Sequence, residues 1–107
     1  MTSKEKGMQK RWWVYIITNH TDAVLYTGIT NDLDRRVFEH KNGLIKNSFS
    51  KRYKLYKLVW FQEFNSPAEA IAAEKKVKGW TREKKIALIE QDNANRADLA
   101  NQGGKNE

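Results

Sequence analysis

Tyr15 and Tyr26 lie in two short apolar runs, Trp12-Trp13-Val14-Tyr15-Ile16-Ile17 and Val24-Leu25-Tyr26-Thr27-Gly28-Ile29, joined by a polar loop. Ten residues past Tyr26 comes Arg36, and one helical turn later His40. Phenol, phenol, guanidinium and imidazole in a basic chain without cysteine point to phosphodiester chemistry. A guanidinium keeps its proton and presents a fork matched to phosphate oxygens, so Arg36 would clamp the scissile group. Either phenol could take the proton of an attacking water if a cation lowered a pKa that starts near 10. His40 could hold a phosphate or relay a proton; the plainer alternative is a solvent-exposed helix histidine. Each tyrosine taken singly is more often a core aromatic of a strand.

The elements that must position these groups are readable. Residues 12–17 and 24–29 are rich in β-branched and aromatic types, and Thr18-Asn19-His20-Thr21-Asp22 supplies turn chemistry between them, so they form an antiparallel hairpin. Side chains alternate, which puts Trp13, Tyr15 and Ile17 on one face and Tyr26 and Gly28 on one face of the second strand. Whether the two faces coincide depends on register. Asn31 is expected to cap a helix whose first turn holds Asp32 and Asp34 and whose stripe is Leu33, Val37 and Phe38, ending near Asn42-Gly43. Arg36 and His40 are neighbours on a face away from that stripe, and Arg35 points elsewhere.

A basic loop, 44–55, leads to a third strand at 58–64 that is buried on both faces in its first half. Ser66-Pro67-Ala68-Glu69 combines an N-cap, Pro at the first helical position and Glu at the third. That helix runs to Lys78 and stops at Gly79. Thr81 caps another, with Ile86, Leu88 and Ile89 apolar. The fold class is α+β, a three-stranded antiparallel sheet flanked by helices in the order β-β-α-β-α-α. Residues 1–11 read as a flexible basic arm, 12–90 as the domain, and 91–107 as a polar, partly disordered tail.

The 107 residues suffice for one domain with a small core. A net charge of +7 and a pI near 9.7 favour a polyanionic partner. The absence of cysteine removes disulfides, thiolate zinc sites and thiol nucleophiles together. No signal-like or membrane-length apolar run occurs, so a cytoplasmic protein is expected. Between Lys41 and Lys57 stand six basic residues and no acid: Lys41, Lys46, Lys51, Arg52, Lys54 and Lys57, interleaved with Phe49, Tyr53 and Tyr56. Such a stretch can follow a phosphate backbone and stack bases, or can be a solvated surface.

The tripeptides Trp13-Val14-Tyr15 and Tyr26-Thr27-Gly28 resemble the two halves of the GIY-YIG nuclease signature. Arg36 and His40 fall where that family has its helix arginine and an accompanying histidine, and Glu74 falls where it has its metal-ligating carboxylate. The resemblance covers residues 12–90. It is strongest to small stand-alone bacterial members related to the catalytic domain of the excision-repair incision subunit, and Gly79-Trp80-Thr81-Arg82-Glu83-Lys84-Lys85-Ile86 looks like that subgroup. Trp13 replaces the first glycine of the signature and Thr27 the middle isoleucine of its second half. Ile29-Thr30 stands where the repair subunit has a lysine. Of the subgroup's C-terminal motif the chain keeps Asn93, Asp98 and Leu99 but has Ala94 and Arg96 for Pro and Trp, so this end is expected to pack differently.

The resemblance implies a DNA endonuclease with one divalent metal, Mg or Mn, on Glu74, and with one tyrosine as base, here Tyr26. Magnesium keeps several waters and needs only one or two protein carboxylates. Glu74 lies on the same stripe as Ala70, Ile71 and Val77, where an ionised carboxylate must be paired or metal-bound. A surface glutamate or a buried pair with an arginine are the alternatives. Two further functional readings stay open: a non-catalytic or partner-dependent nucleic-acid-binding module, and an RNA-associated basic protein. DNA is the expected partner, with RNA as an alternative, a protein partner directing it to substrate, and no membrane.

Overall fold

The structure is a computed structural model describing residues 11–45 and 52–100. The elements are β1 (Trp12–Thr18), β2 (Leu25–Thr30), α1 (Leu33–Lys41), β3 (Lys57–Phe64), α2 (Pro67–Lys78) and α3 (Arg82–Asp92). The strands form one antiparallel sheet in the order β2-β1-β3, so the expected α+β architecture and element order hold. Residues 52 and 53, expected in a loop, are helical. Lys46, Phe49 and Lys51, the arm up to residue 10 and the tail from 101 lie outside the described residues.

The register settles which side chains share a face. Tyr15 stands opposite Gly28 and Ile17 opposite Tyr26, so both phenols lie on the same side of the sheet. On β3, Glu63 faces Trp13 and Phe61 faces Tyr15. The register then shifts: Ile16 pairs with Trp60 and Ile17 with Leu58, leaving Val59 as the extra residue of a bulge. The bulge returns Val59 and Trp60 together to the opposite face, where both are buried.

Each face carries its own core. Val14, Ile16, Val59 and Trp60 pack against Ala70 and Val77 of α2 and Ile89 of α3. Tyr15, Ile17 and Leu58 pack against Val37 of α1 and Leu55, with Leu33, Tyr26 and Leu99 at the margin. Ser66 caps α2 by accepting the Glu69 amide (3.1 Å), and Thr81 caps α3 by accepting that of Lys84 (3.2 Å).

Three local expectations are corrected. Asp32, not Asn31, caps α1, its carboxylate accepting the Arg35 amide (3.2 Å) while Thr30 Oγ1 accepts the Asp32 amide (3.1 Å). The stripe of α1 is Leu33, Val37 and His40; Phe38, a hundred degrees round the helix, is 58% exposed. The stripe of α2 is Ala70, Ala73 and Val77, and Ile71 is 46% exposed.

The polar composition after Gln91 does not keep residues 92–100 out of the fold. The Asn93 amide donates to Val59 O (3.1 Å) and Ala97 O (2.9 Å), and its Oδ1 accepts the Ala97 amide (3.0 Å). Asp98 accepts the Leu58 amide (3.2 Å) and pairs with Lys41 (2.5 Å). Arg96, in the left-handed region at φ 51°, reaches Asp22 (3.4 Å) and Glu90 (2.9 Å). The retained residues of the C-terminal motif thus tie α3, the bulge and α1 together, while Arg96 makes surface ion pairs. Asn93→Ala strands Val59 O and the 97 amide and should lower unfolding free energy by about 2 kcal/mol in urea titration. Asn42→Ala, which removes only an exposed bond to Phe38 O, should cost about 0.5 kcal/mol or less.

Candidate active site

The site begins with a missing side chain. Tyr15 lies across Gly28, and a Cβ at position 28 would come within 2.5 Å of Tyr15 Cζ and 2.9 Å of its Cε2. Only glycine lets the ring lie flat over β2. From there Tyr15 Oη reaches His40 Nε2 at 3.2 Å. The His40 ring stands edge-on to both phenols, 5.8 Å from each centroid, and the phenols are 6.5 Å apart. His40 is therefore buried against the sheet rather than displayed on an outer face of α1.

Arg36, one turn earlier, lies close enough to act on both Tyr15 and His40. Glu39 pairs with Arg36 (3.3 Å) and, through its other oxygen, with Arg35 (3.3 Å). Arg35 is thus not directed elsewhere: both arginines line a cavity of about 230 Å³ with Thr30, Asn31, Asp32 and Glu39. Sequence reasoning missed Glu39, although its i+3 and i+4 spacing from the two arginines carried the signal.

Burial divides the titrating groups. It pushes the Tyr15 phenol up to about 12, with nearby Arg36 pulling the other way. It lowers His40 to about 4, with Arg36 adding to the effect and Glu39 opposing it. At neutral pH Tyr15 is a neutral phenol and His40 a neutral imidazole. Tyr26 is only half-buried.

Glu74 enters from α2. Its side chain is 14% exposed and pairs with Lys78 one turn on (2.8 Å). Lys78, half exposed, has its pKa raised by the hydrogen bond to Glu74 and further by the phenol of Tyr26. Glu74 and Tyr26 thus act on one ammonium, and Lys78 joins the set although the sequence did not single it out. The acid is held by a surface lysine rather than by a buried arginine.

The basic stretch is less uniform than its composition. Lys41 is taken up by Asp98 and lies over the Tyr56 ring (5.4 Å), and Lys57 pairs with Asp22 (2.7 Å). The Arg52 guanidinium lies over Tyr53 (5.6 Å), and Lys54 is exposed at φ 51°.

Residues 11–87 match the GIY-YIG catalytic domain. The chain belongs to the GIY-YIG family. The small UPF0213 proteins are similar over most of their length. One from Vibrio parahaemolyticus is 35% identical over 85 residues, 79% of this chain and 78% of that protein. Another, from Haloquadratum walsbyi, is 38% identical over 79 residues, 74% of this chain and 86% of that protein. The solution NMR structure of a UPF0213 protein from Bacillus halodurans superposes with a TM-score of 0.52 at 31% identity, covering 83% of this chain and 93% of the other. GIY-YIG membership makes this a domain of a nuclease family that acts on DNA. Among the described residues no helix is long and apolar enough to cross a membrane.

The buried Tyr15–His40 pair fixes a pH response. His40 titrates near 4 in the fold and 6.5 when free, so the unfolded chain binds more protons between those values. Its contribution is intact above pH 6.5 and declines as pH falls towards 4. Tyr15, near 12 against 10, acts oppositely: its contribution is intact below pH 10 and lost as pH rises towards 12. In His40→Gln the slope of unfolding free energy between pH 4 and 6.5 should shrink relative to the parent. An unchanged slope would mean that His40 is not buried as a neutral ring.

Proposed function

We propose that this chain is a metal-dependent endonuclease that hydrolyses DNA phosphodiester bonds, in repair or in the processing of branched or single-stranded DNA. The observation that carries the reading is the cluster of Tyr15, Tyr26 and His40 on one sheet face with Arg36 beside it, in a family of nucleases.

Roles follow from environment. A phenol held near 12 is a poor base and a good neutral donor, so Tyr15 positions a phosphate oxygen or the attacking water. Tyr26, less buried and beside Lys78, takes the role of proton acceptor. Arg36 clamps the phosphate, with Glu39 holding its guanidinium in place. Neutral His40 fixes the orientation of the Tyr15 hydroxyl.

The donor set fits a hard cation bound mainly by water. Magnesium or manganese keeps several waters and needs only one or two protein carboxylates, so one well-placed acid is enough. Glu74 would hold it. Such an ion would supply charge for the developing phosphorane and a water of lowered pKa. The i,i+4 pair with half-exposed Lys78 is the competitor such an ion would have to displace. That pair is also the observation favouring the second reading, a binding module without turnover, because Lys78 neutralises the carboxylate.

The two readings separate in a cleavage assay on duplex, flap and single-stranded DNA with magnesium or manganese. Cleavage should appear, and Glu74→Gln or Arg36→Ala should reduce it at least about 100-fold while the fold is retained. Salt-sensitive binding with no cleavage under any metal condition would support the binding module instead.

A further inference from the structure

The face that carries the phenols continues past them as an aromatic surface. Across the sheet its rows are Tyr26–Ile17–Leu58, then Gly28–Tyr15–Phe61, then Thr30–Trp13–Glu63. Helix α1 covers the first row and Tyr15 through Leu33, Val37 and His40. It leaves Phe61 uncovered, at 44% exposure, and Trp13 only half-buried. Phe61 is the cross-strand neighbour of Tyr15 and the diagonal neighbour of Trp13, within reach for aromatic side chains. Trp13 is the indole that stands where the GIY-YIG signature has glycine. Arg36 and Arg35 supply the cationic groups on the α1 side, where Glu39 pairs with both and Asp32 lines the same cavity, and the acid of the outer row, Glu63, is matched by Arg11 at 3.0 Å.

We propose that Phe61 and Trp13 form a stacking platform for an unpaired DNA base adjoining the phosphate held by Arg36. Resting on the nuclease reading above, this assigns the substrate class as single-stranded or locally unpaired DNA. Nucleobases stack on aromatic faces without regard to sequence, and one lost base–aromatic contact weakens single-strand binding about tenfold. A paired base in a regular duplex cannot lie flat on the platform, because its faces are covered by its neighbours.

The test uses the full chain without divalent metal and follows fluorescence anisotropy of a labelled oligothymidylate and of an abasic strand of equal length. The base-bearing strand should bind about tenfold more tightly than the abasic one. Phe61→Ala and Phe61→Leu should abolish that preference, while Phe61→Trp should keep it; position 61 is exposed enough for all three to fold. Arg36→Ala should weaken both strands alike and leave the preference unchanged. Equal binding of the two strands by the parent, or a preference that survives Phe61→Ala, overturns the platform. Metal-dependent cleavage persisting under that outcome would leave the nuclease reading standing. Failure of the parent to bind either strand would likewise overturn the platform, and the nuclease reading would then stand or fall on the cleavage assay with metal.

Discussion

The arrangement depends on Tyr15 lying flat across a backbone without a Cβ. Gly28 is needed for the close approach, not for an unusual backbone angle. With the ring down on β2, its hydroxyl meets His40, and the imidazole then lies equally close to the second phenol. A methyl group at position 28 would lift the ring by more than the packing beneath α1 can absorb, since interiors are packed too closely to yield at one point. The meeting of Tyr15 with His40, and with it the electrostatic character of the site, follows from this contact.

The two faces of the sheet divide the work. One is sealed by α2 and α3 around Val14, Ile16 and Trp60, and it supplies most of the purely apolar packing. The other is only partly sealed by α1, and the boundary of that cover sets the chemistry. Tyr15 and His40 lie beneath it and are held neutral; Tyr26, Arg36 and Phe61 lie towards its edge, where ligands and protons can reach them. The segment after α3 holds the cover in place. Asp98 binds Lys41 of α1 and the start of β3, and Leu99 enters the cluster beneath α1.

Element order and most boundaries were legible because they rest on local chemistry. Ser66-Pro67 with Glu69, and Thr81 before a charged turn, specify helix starts through hydrogen bonds a few residues long. Asn31 and Asp32 are both competent caps for α1, and Thr30 decides between them, since its hydroxyl receives the Asp32 amide. Phe38 and Ile71 are apolar yet exposed, because short helices bury only a narrow stripe. The shared face of the phenols was not legible, since register is a property of two strands and not of either alone. Nor was the burial of His40, which requires knowing that Gly28 lowers Tyr15 to meet it. Periodicity puts Glu74 on its stripe, but a lysine one turn on, among three in the last turn of that helix, carries no mark of being its partner.

The most direct test of that steric keystone is the titration of His40 by NMR in Gly28→Ala. If the bare backbone at 28 holds the phenol under the imidazole, the displaced ring admits water, and the His40 midpoint moves from about 4 towards 6.5. A variant whose His40 still titrates near 4, with Tyr15 resonances unmoved, would contradict the account at its base.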